Sequence, residues 1–413
     1  MIRRPSAIAS LAPVHPLDDK YLREEILLRL PPQPASLPRA SLVCTCWRNI
    51  ILDPDFLKRF RRHHKKTPLL ALVENRAFVQ ASLAHYAVFV PTLGSPDCIP
   101  FMRFPLQRNR RYEALNVHGC HHGLAILLNM SDQEAIVWDP LTGHDYHVPF
   151  PPRFHNFTNG FVKNAAVLCA ATEDGHVHDD CSLSPFKVVF MSNDFDQKHA
   201  MCCLYESESG VWGNIFLVAT TSRICDERPG IIVRNLIYWL LDDGGILELD
   251  LERESLCVIE KPTNVHFTGY RYFQILWTKD DGLGLAILLK SNLRIQLWGR
   301  KLKNDGVRWV LQKTIQLDQL LSSVLPKDRK KTYILGYDND SSMMVLSTAI
   351  GALMVQLETM EFRNIPKRKH ATYYPYRNFY TTGLQEASRI KKGEICPVKG
   401  CILHDPELYF CKY

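Results

Sequence analysis

Two hydrophobic patterns divide the chain near residue 67. Between residues 17 and 60, apolar residues recur at steps of three and four, which is the spacing of amphipathic helices. After Thr67-Pro68, short apolar runs rich in β-branched and aromatic residues alternate with Asp, Asn and Gly turns, which is typical of β-strands. The pattern predicts a small helical module in front of a larger β-rich region.

The helical module is predicted to contain three helices. The first has an apolar stripe that ends at a pair of prolines: Leu22, Ile26, Leu27 and Leu30, then Pro31 and Pro32. The second carries its apolar positions at Leu42, Val43, Cys46, Trp47, Ile50 and Ile51. A third begins after Asp53-Pro54, and Pro34 and Pro38 are expected to keep the first connection irregular. Three short helices bury little surface, so a partner that binds only the folded module would stabilise it.

The β-rich region repeats one order of elements, a strand, a turn, a second strand, another turn and a return strand. The repeats begin roughly forty to sixty residues apart, and four short strands per repeat at that period predict a β-propeller. The expected fold class is multidomain α+β, with a small N-terminal helical module and an all-β, propeller-like domain. Because the period is irregular, a β-sandwich or several small sheets is the alternative.

The order of residues in the helical module resembles a known family. The segments EILLRLPP, LPRASLVCTCWRNII and DPDFLKRF are similar to the F-box of plant proteins, especially those of the large grass families. The resemblance implies docking to a SKP-type adaptor through ten positions that match the family's contact positions: Leu22, Ile26, Leu27, Leu30, Pro31, Leu42, Val43, Cys44, Trp47 and Ile51.

One departure from the F-box pattern lies at Glu24-Glu25. The distance along the chain from the first leucine of the module to the Ile26-Leu27 pair is one residue longer than is usual in the family. On a helix, one residue rotates Leu17 and Tyr21 by about 100° relative to Ile26. Either the first turn loosens to absorb the extra residue, or Leu17 no longer reaches the adaptor.

The β-rich region resembles the F-box-associated β-domain of grass F-box proteins, through segments such as GCHHGLAILL, VWDPLTG and ILWTKDDGLGLAIL. This resemblance implies the substrate-recognition subunit of an SCF-type (SKP-cullin-F-box) E3 ubiquitin ligase. The adaptor would link the chain to the cullin and RING subunits, and the β-domain would bind an unknown protein target. The domains expected on this basis are a flexible N-terminus over residues 1–14, an F-box over 15–66, the β-domain over 67–384 and a loose tail over 385–413.

The charge of the chain is concentrated at its N-terminal end. Residues 1–66 contain thirteen Lys and Arg against six Asp and Glu, which accounts for the whole net charge of +7. The densest run ends the module: Lys58, Arg59, Arg61, Arg62, His63, His64, Lys65 and Lys66. It suggests nucleic-acid binding as an alternative function. We favour a solvated helix end, because cations suit a helix C-terminus and basic ends of the F-box are common in the resembled family.

Candidate enzyme chemistry is weak in this sequence. His118, His121 and His122 lie close together, and His176 and His178 precede Asp179, Asp180 and Cys181, but we interpret the second group as solvated histidines of an exposed loop and not as zinc ligands. No GxSxG, HExxH, P-loop or dinucleotide motif occurs. We therefore expect no catalytic residue, metal or cofactor, with a propeller-fold enzyme as the alternative.

The cysteines and the apolar runs bear on location. The thirteen cysteines are scattered and odd in number, which indicates reduced thiols and a cytoplasmic or nuclear protein. The longest apolar runs are too short to span a membrane, so no membrane partner is expected.

Overall fold

The structure is a computed structural model. It describes residues 19–76, 88–99, 115–152, 161–170, 181, 185–194, 196–266, 269–278, 282–289, 293–303, 306–317, 332–349, 351–365 and 371–380. The described residues separate into two compact units: residues 19–68 with Phe379 and Tyr380, and residues 69–378.

The first unit is built from four helices: α1 (Lys20–Leu28), α2 (Ser36–Ser41), α3 (Thr45–Ile51) and α4 (Pro54–His64). Its core contains Leu27, Ile51 and Phe56, none of which is exposed. The structure has two helices, α2 and α3, in the segment where the sequence predicted an irregular connection followed by a single helix. Pro38 is accommodated inside α2 because the first turn of a helix does not use its backbone N–H groups. Cys44 is extended and accepts a hydrogen bond from the Trp47 backbone N–H through Sγ, so α3 begins only after it.

The second unit is an antiparallel β-domain of six sheets, which we number as blades. Blade 1 combines strands from both ends of the unit: β1 (Leu69–Arg76), β2 (Val88–Pro91) and β23 (Ala371–Arg377). Blade 2 contains β3 (Leu115–His121), β4 (Leu124–Asn129), β5 (Glu134–Trp138) and β6 (Asp145–Pro149). Blade 3 contains β7 (Phe161–Cys169), β8 (Phe186–Asn193), β9 (His199–Glu206) and β10 (Val211–Ala219).

The remaining blades follow the same order. Blade 4 contains β11 (Ile231–Val233), β12 (Leu236–Leu240), β13 (Ile246–Asp250) and β14 (Ser255–Ile259). A short 3₁₀ helix (Tyr270–Tyr272) leads into blade 5, which contains β15 (Phe273–Trp277), β16 (Leu283–Leu289), β17 (Arg294–Lys303) and β18 (Gly306–Gln316). Blade 6 contains β19 (Tyr333–Asp338), β20 (Met343–Ser347), β21 (Ala352–Gln356) and β22 (Phe362–Ile365).

Each blade contacts the next, and blade 6 contacts blade 1 through β19 and β23, so the six blades form a closed ring. Large buried clusters lie between consecutive blades, for example Phe150 of blade 2 against Phe190 of blade 3. The sheets pack face to face around the ring, and most of their edge strands are short, which is how propellers limit exposed strand edges. The predicted fold class, a helical module followed by a propeller, is confirmed, and the sandwich alternative is wrong.

The ring is closed at blade 1 by chain segments that are far apart in sequence. β23 pairs antiparallel with β1 from Leu69–Arg377 to Arg76–Ala371. On its other side, β19 approaches β23 so closely that a Cβ atom at Gly336 would lie 2.2 Å from the backbone oxygen of Tyr373. The Arg377 guanidinium forms a two-pronged hydrogen bond with the buried Asp338 carboxylate, at 2.7 and 2.5 Å. The ends of the described β-domain are thereby held in one sheet.

Candidate functional site

The surface predicted to bind an adaptor lies on the four-helix unit and begins with α1. Asp19 caps this helix, and its carboxylate accepts hydrogen bonds from the backbone N–H groups of Tyr21 and Leu22 at 2.7 and 3.4 Å. The cap places Tyr21 and Leu22 in the first turn, where 79% of Tyr21 and 41% of Leu22 are exposed. Sequence reasoning had not included Tyr21 among the contact residues, although an aromatic beside a cap was visible in the pattern.

The extra residue at Glu24-Glu25 does not interrupt α1, which is continuous from Lys20 to Leu28. Glu24 turns toward α4 and forms a 2.8 Å salt bridge with Arg59. Glu25 faces solvent and pairs with Arg29 one turn later at 2.5 Å. The helix therefore does not loosen within Lys20–Leu28, and the two carboxylates face different sides of it. Leu17 lies outside the described residues.

The connection between α2 and α3 exposes further apolar side chains. Leu42 and Val43 lie between the two helices and are 49% and 64% exposed, and Cys44 and Cys46 are exposed beside them. Trp47, one turn into α3, is half-buried. Leu42 ends α2 and Cys44 caps the start of α3. Leu42 and Val43 therefore lie in the connection between the two helices, where their side chains are exposed.

The ten predicted contact residues fall into three groups by exposure. Five are exposed on the surface: Leu22, Pro31, Leu42, Val43 and Cys44. Three are half-buried: Ile26, Leu30 and Trp47. Leu27 and Ile51 are fully buried, so they hold the helices in place beneath the surface and do not offer a contact themselves. The periodicity identified the apolar stripe, but not which side of it is covered by the neighbouring helices.

The basic run at the end of α4 also contributes to the internal structure of this unit. Arg59 is paired with Glu24 of α1. The His64 ring packs on Phe60, with 4.4 Å between the ring centroids, and lies near the backbone of Leu28 and Leu30. Burial lowers the pKa of His64, which favours the neutral ring. The cations of the last turn lie at the helix C-terminus, where they suit the helix dipole.

The histidines and cysteines considered as metal ligands do not form a metal site in the described residues. His118 is buried in β3, and burial lowers its pKa to about 4. His176, His178, Asp179 and Asp180 lie outside the described residues. Within the described ranges no group of three or more His, Cys, Asp or Glu side chains could hold a metal ion. The ten cysteines that the structure describes are free thiols, and burial raises the pKa of Cys202 to about 12. Among the described helices, none is long and apolar enough to cross a bilayer.

Comparison with protein families identifies both units. The model of the F-box domain matches residues 16–59, which include α1, α2 and α3. A second model, described as F-box protein AT5G49610-like, beta-propeller, matches residues 116–374, more than half of the chain. The chain belongs to this family of F-box propeller proteins. Its four-helix unit is the F-box, and its six-bladed ring is the propeller of that family.

A curated relative supports the same assignment. The protein named "Putative F-box protein At3g16210", from Arabidopsis thaliana, is 24% identical over 225 residues, which are 54% of this chain and 54% of the relative. The match thus spans about half the length of the relative.

Similarity to solved structures is weaker. The Cps50 (Swd1) β-propeller domain of Myceliophteria thermophila matches with a TM-score of 0.36 and 11% identity, over 61% of this chain and 74% of that domain. A luciferin-regenerating enzyme matches with a TM-score of 0.34 and 9% identity, over 61% of this chain and 76% of the enzyme.

Proposed function

We propose that this F-box protein is the substrate-recognition subunit of an SCF-type E3 ubiquitin ligase. In this role the F-box binds a SKP-type adaptor, which connects it to the cullin and RING subunits, and the propeller binds a target protein. The ligase acts by proximity, because a target held beside a charged ubiquitin carrier reacts at a high effective concentration. The chain itself then needs no catalytic residue, metal or cofactor.

The observation that carries the proposal is the apolar surface of the F-box. Tyr21, Leu22, Leu42 and Val43 are four of the large apolar side chains that remain exposed in the described residues. They lie within a module of four short helices, which gains stability when a partner covers such a surface. We assign adaptor contact to the exposed and half-buried members of the predicted set, and a positioning role to Leu27 and Ile51.

The same proposal includes the finer features expected from the sequence. The chain is taken to be of the grass type and to act in the cytoplasm, the nucleus or both. Its functional domains are taken as the F-box over residues 15–66 and the β-domain over 67–384, while the predicted flexible N-terminus over 1–14 and tail over 385–413 lie outside the described residues. Neither nucleic acid nor membrane is required as a partner.

A pull-down with a purified plant SKP-type adaptor tests the proposal. Replacing two of the three residues between α2 and α3, Leu42→Asp with Val43→Asp, puts two carboxylates on the proposed contact surface. We expect adaptor binding to weaken at least about tenfold. Both side chains are exposed, so the fold should be retained, which circular dichroism would check.

The matched control is Leu217→Asp on β10 of the propeller, an apolar residue of similar exposure. This variant should bind the adaptor like the unchanged protein. Failure of the unchanged protein to bind any SKP-type adaptor would refute the proposed role, and equal binding by the Leu42→Asp, Val43→Asp variant would refute the assigned surface.

A further inference from the structure

The N-terminal half of α1 carries exposed apolar residues but is not held by apolar burial. Leu27 and Leu28, at the end of the helix, are its buried residues. Over residues 20–26 no side chain is buried, and Tyr21 and Leu22 are exposed. Apolar packing therefore fixes one end of α1, and the end that carries a predicted adaptor contact requires another attachment.

Glu24 supplies an attachment to α4. Its Oε2 atom accepts a 2.8 Å hydrogen bond from Nη2 of Arg59. Only 12% of the Glu24 side chain is exposed, although it carries a charge. Its other carboxylate oxygen, Oε1, lies 3.7 Å from Nζ of Lys20 in the preceding turn. The carboxylate is thus shared between its own helix and α4.

Arg59 is in turn held by a packed helix. Its guanidinium carbon lies 6.0 Å from the centroid of the Phe56 ring, which is the distance of a cation–π contact. Phe56 has no exposed surface, and Phe60, one turn later in α4, is 4% exposed. The cation that pairs with Glu24 is therefore presented from a helix that the core fixes in place.

The ion pair determines which side of α1 turns outward. Successive residues of a helix are rotated by about 100°, so Leu22 and Glu24 lie about 200° apart, on opposite sides. When Glu24 faces α4, Leu22 faces away from it, and 41% of Leu22 is exposed. Glu25 pairs instead with Arg29 of the same helix, so this contact does not tie α1 to another element.

We propose that the Glu24–Arg59 ion pair is a positioning element of the adaptor site. It holds the N-terminal half of α1 against α4 and thereby presents Leu22 to the SKP-type adaptor. This inference rests on the proposed function and adds two residues that the predicted contact set does not include. It also gives a role to the departure from the F-box spacing at Glu24-Glu25, because one of these two carboxylates reaches α4.

The expected contribution of the pair is moderate. Ion pairs that are open to solvent contribute little, because water screens the charges and two long side chains must be ordered. Glu24 is mostly buried, but 45% of Arg59 is exposed. We therefore expect loss of the pair to weaken adaptor binding about three- to fivefold, which is less than the effect of disrupting the apolar contacts.

Adaptor affinity of the full chain measures this contribution. Glu24→Gln and Arg59→Met each remove one charge while keeping much of the side chain, and each should weaken binding about three- to fivefold. Arg59→Lys retains the charge and should bind more tightly than Arg59→Met. The matched control, Glu25→Gln, removes the adjacent carboxylate and should bind like the unchanged chain. Equal affinities of the Glu24→Gln and Glu25→Gln variants would overturn the proposal.

Double variants separate positioning from a general loss of stability. If the pair acts by presenting Leu22, Glu24→Gln should have little further effect in a chain that already carries Leu22→Ala. It should keep its full effect beside Val43→Ala, whose side chain lies between α2 and α3. A general loss of stability would lower the folded fraction by the same factor in both backgrounds. Equal effects of Glu24→Gln in the two backgrounds would therefore contradict a positioning role.

Amide hydrogen exchange tests the attachment of α1 without the adaptor. In the Arg59→Met chain, the amides of α1 should exchange faster, by about threefold or more, while those of α3 keep their rates. Unchanged exchange in α1 would overturn the proposal even if adaptor binding were altered. A wild-type chain that binds no SKP-type adaptor would refute the proposed function, and faster α1 exchange in the Arg59→Met chain would still establish that the pair holds α1.

Discussion

At the scale of single residues, burial decides which groups can carry charge in the propeller. His118 lies in β3 with 6% of its surface exposed, and its Nδ1 atom has no hydrogen-bond partner. Burial alone lowers the pKa of this ring from 6.5 to about 4. The sequence had shown His118 as one of three close histidines. The period-2 alternation of β3, which would have indicated an inward position, is obscured by a bulge between Val117 and Gly119.

The buried neutral histidine makes stability depend on pH. Because the folded pKa is lower than the unfolded value, the unfolded chain binds the proton first, and stability is lost as the pH falls from 6.5 toward 4. We expect His118 to contribute a loss of about 2 kcal/mol in the free energy of unfolding between pH 7 and pH 5. Urea unfolding followed by tryptophan fluorescence would measure it. His118→Leu should reduce the difference between the two pH values by that amount, and an unchanged difference would contradict the assignment.

At the scale of elements, strand pairing over long sequence distances explains what the pattern missed. The apolar runs of β4, β8, β9 and β15 predicted strands that the structure contains. β23 was missed because Pro375 interrupts its pattern and because its partner, β1, lies some three hundred residues earlier. The pattern predicted strands over Arg294 to Trp298 and Trp309 to Ile315, and missed only the hairpin end of β17 and β18, where basic residues lower the local strand propensity.

Arg377 of β23 and Asp338 of β19 form a buried ion pair between two elements, and its contribution to stability can be measured. Only 16% of the arginine and 5% of the aspartate side chain are exposed. Arg377→Met would leave a buried carboxylate without its cation, and we expect the propeller to lose about 3–5 kcal/mol in the free energy of unfolding. Adding Asp338→Asn to this variant should recover part of the loss, because the uncompensated charge is removed. A double variant less stable than Arg377→Met would show that the charge is not the cause.

At the scale of the whole molecule, the F-box is built from contacts that are local in sequence, whereas the ring depends on strands that are far apart in sequence. The F-box signature could be read from one continuous stretch, because its helices are local, and the same stretch contains the ten residues predicted to contact an adaptor. Exposure on the ring could not be read in this way, because at Leu302 and Val307 it depends on where the pairing of β16 with β17 ends. Local sequence therefore predicted the helical module, and only three-dimensional pairing revealed which apolar residues of the ring are exposed.

Closure by the last described strand makes the propeller depend on its C-terminal end. A chain truncated after residue 370 would lack β23, which would leave β1 and β19 without the partner that joins them. We expect this truncated chain to lose the cooperative unfolding transition of the propeller and to expose apolar surface that binds a hydrophobic dye. A chain truncated after residue 380 retains all 23 strands and should keep the transition. If both chains unfold alike, closure through β23 does not hold the ring. If only the shorter chain fails, the final described strand is what stabilises the closed ring.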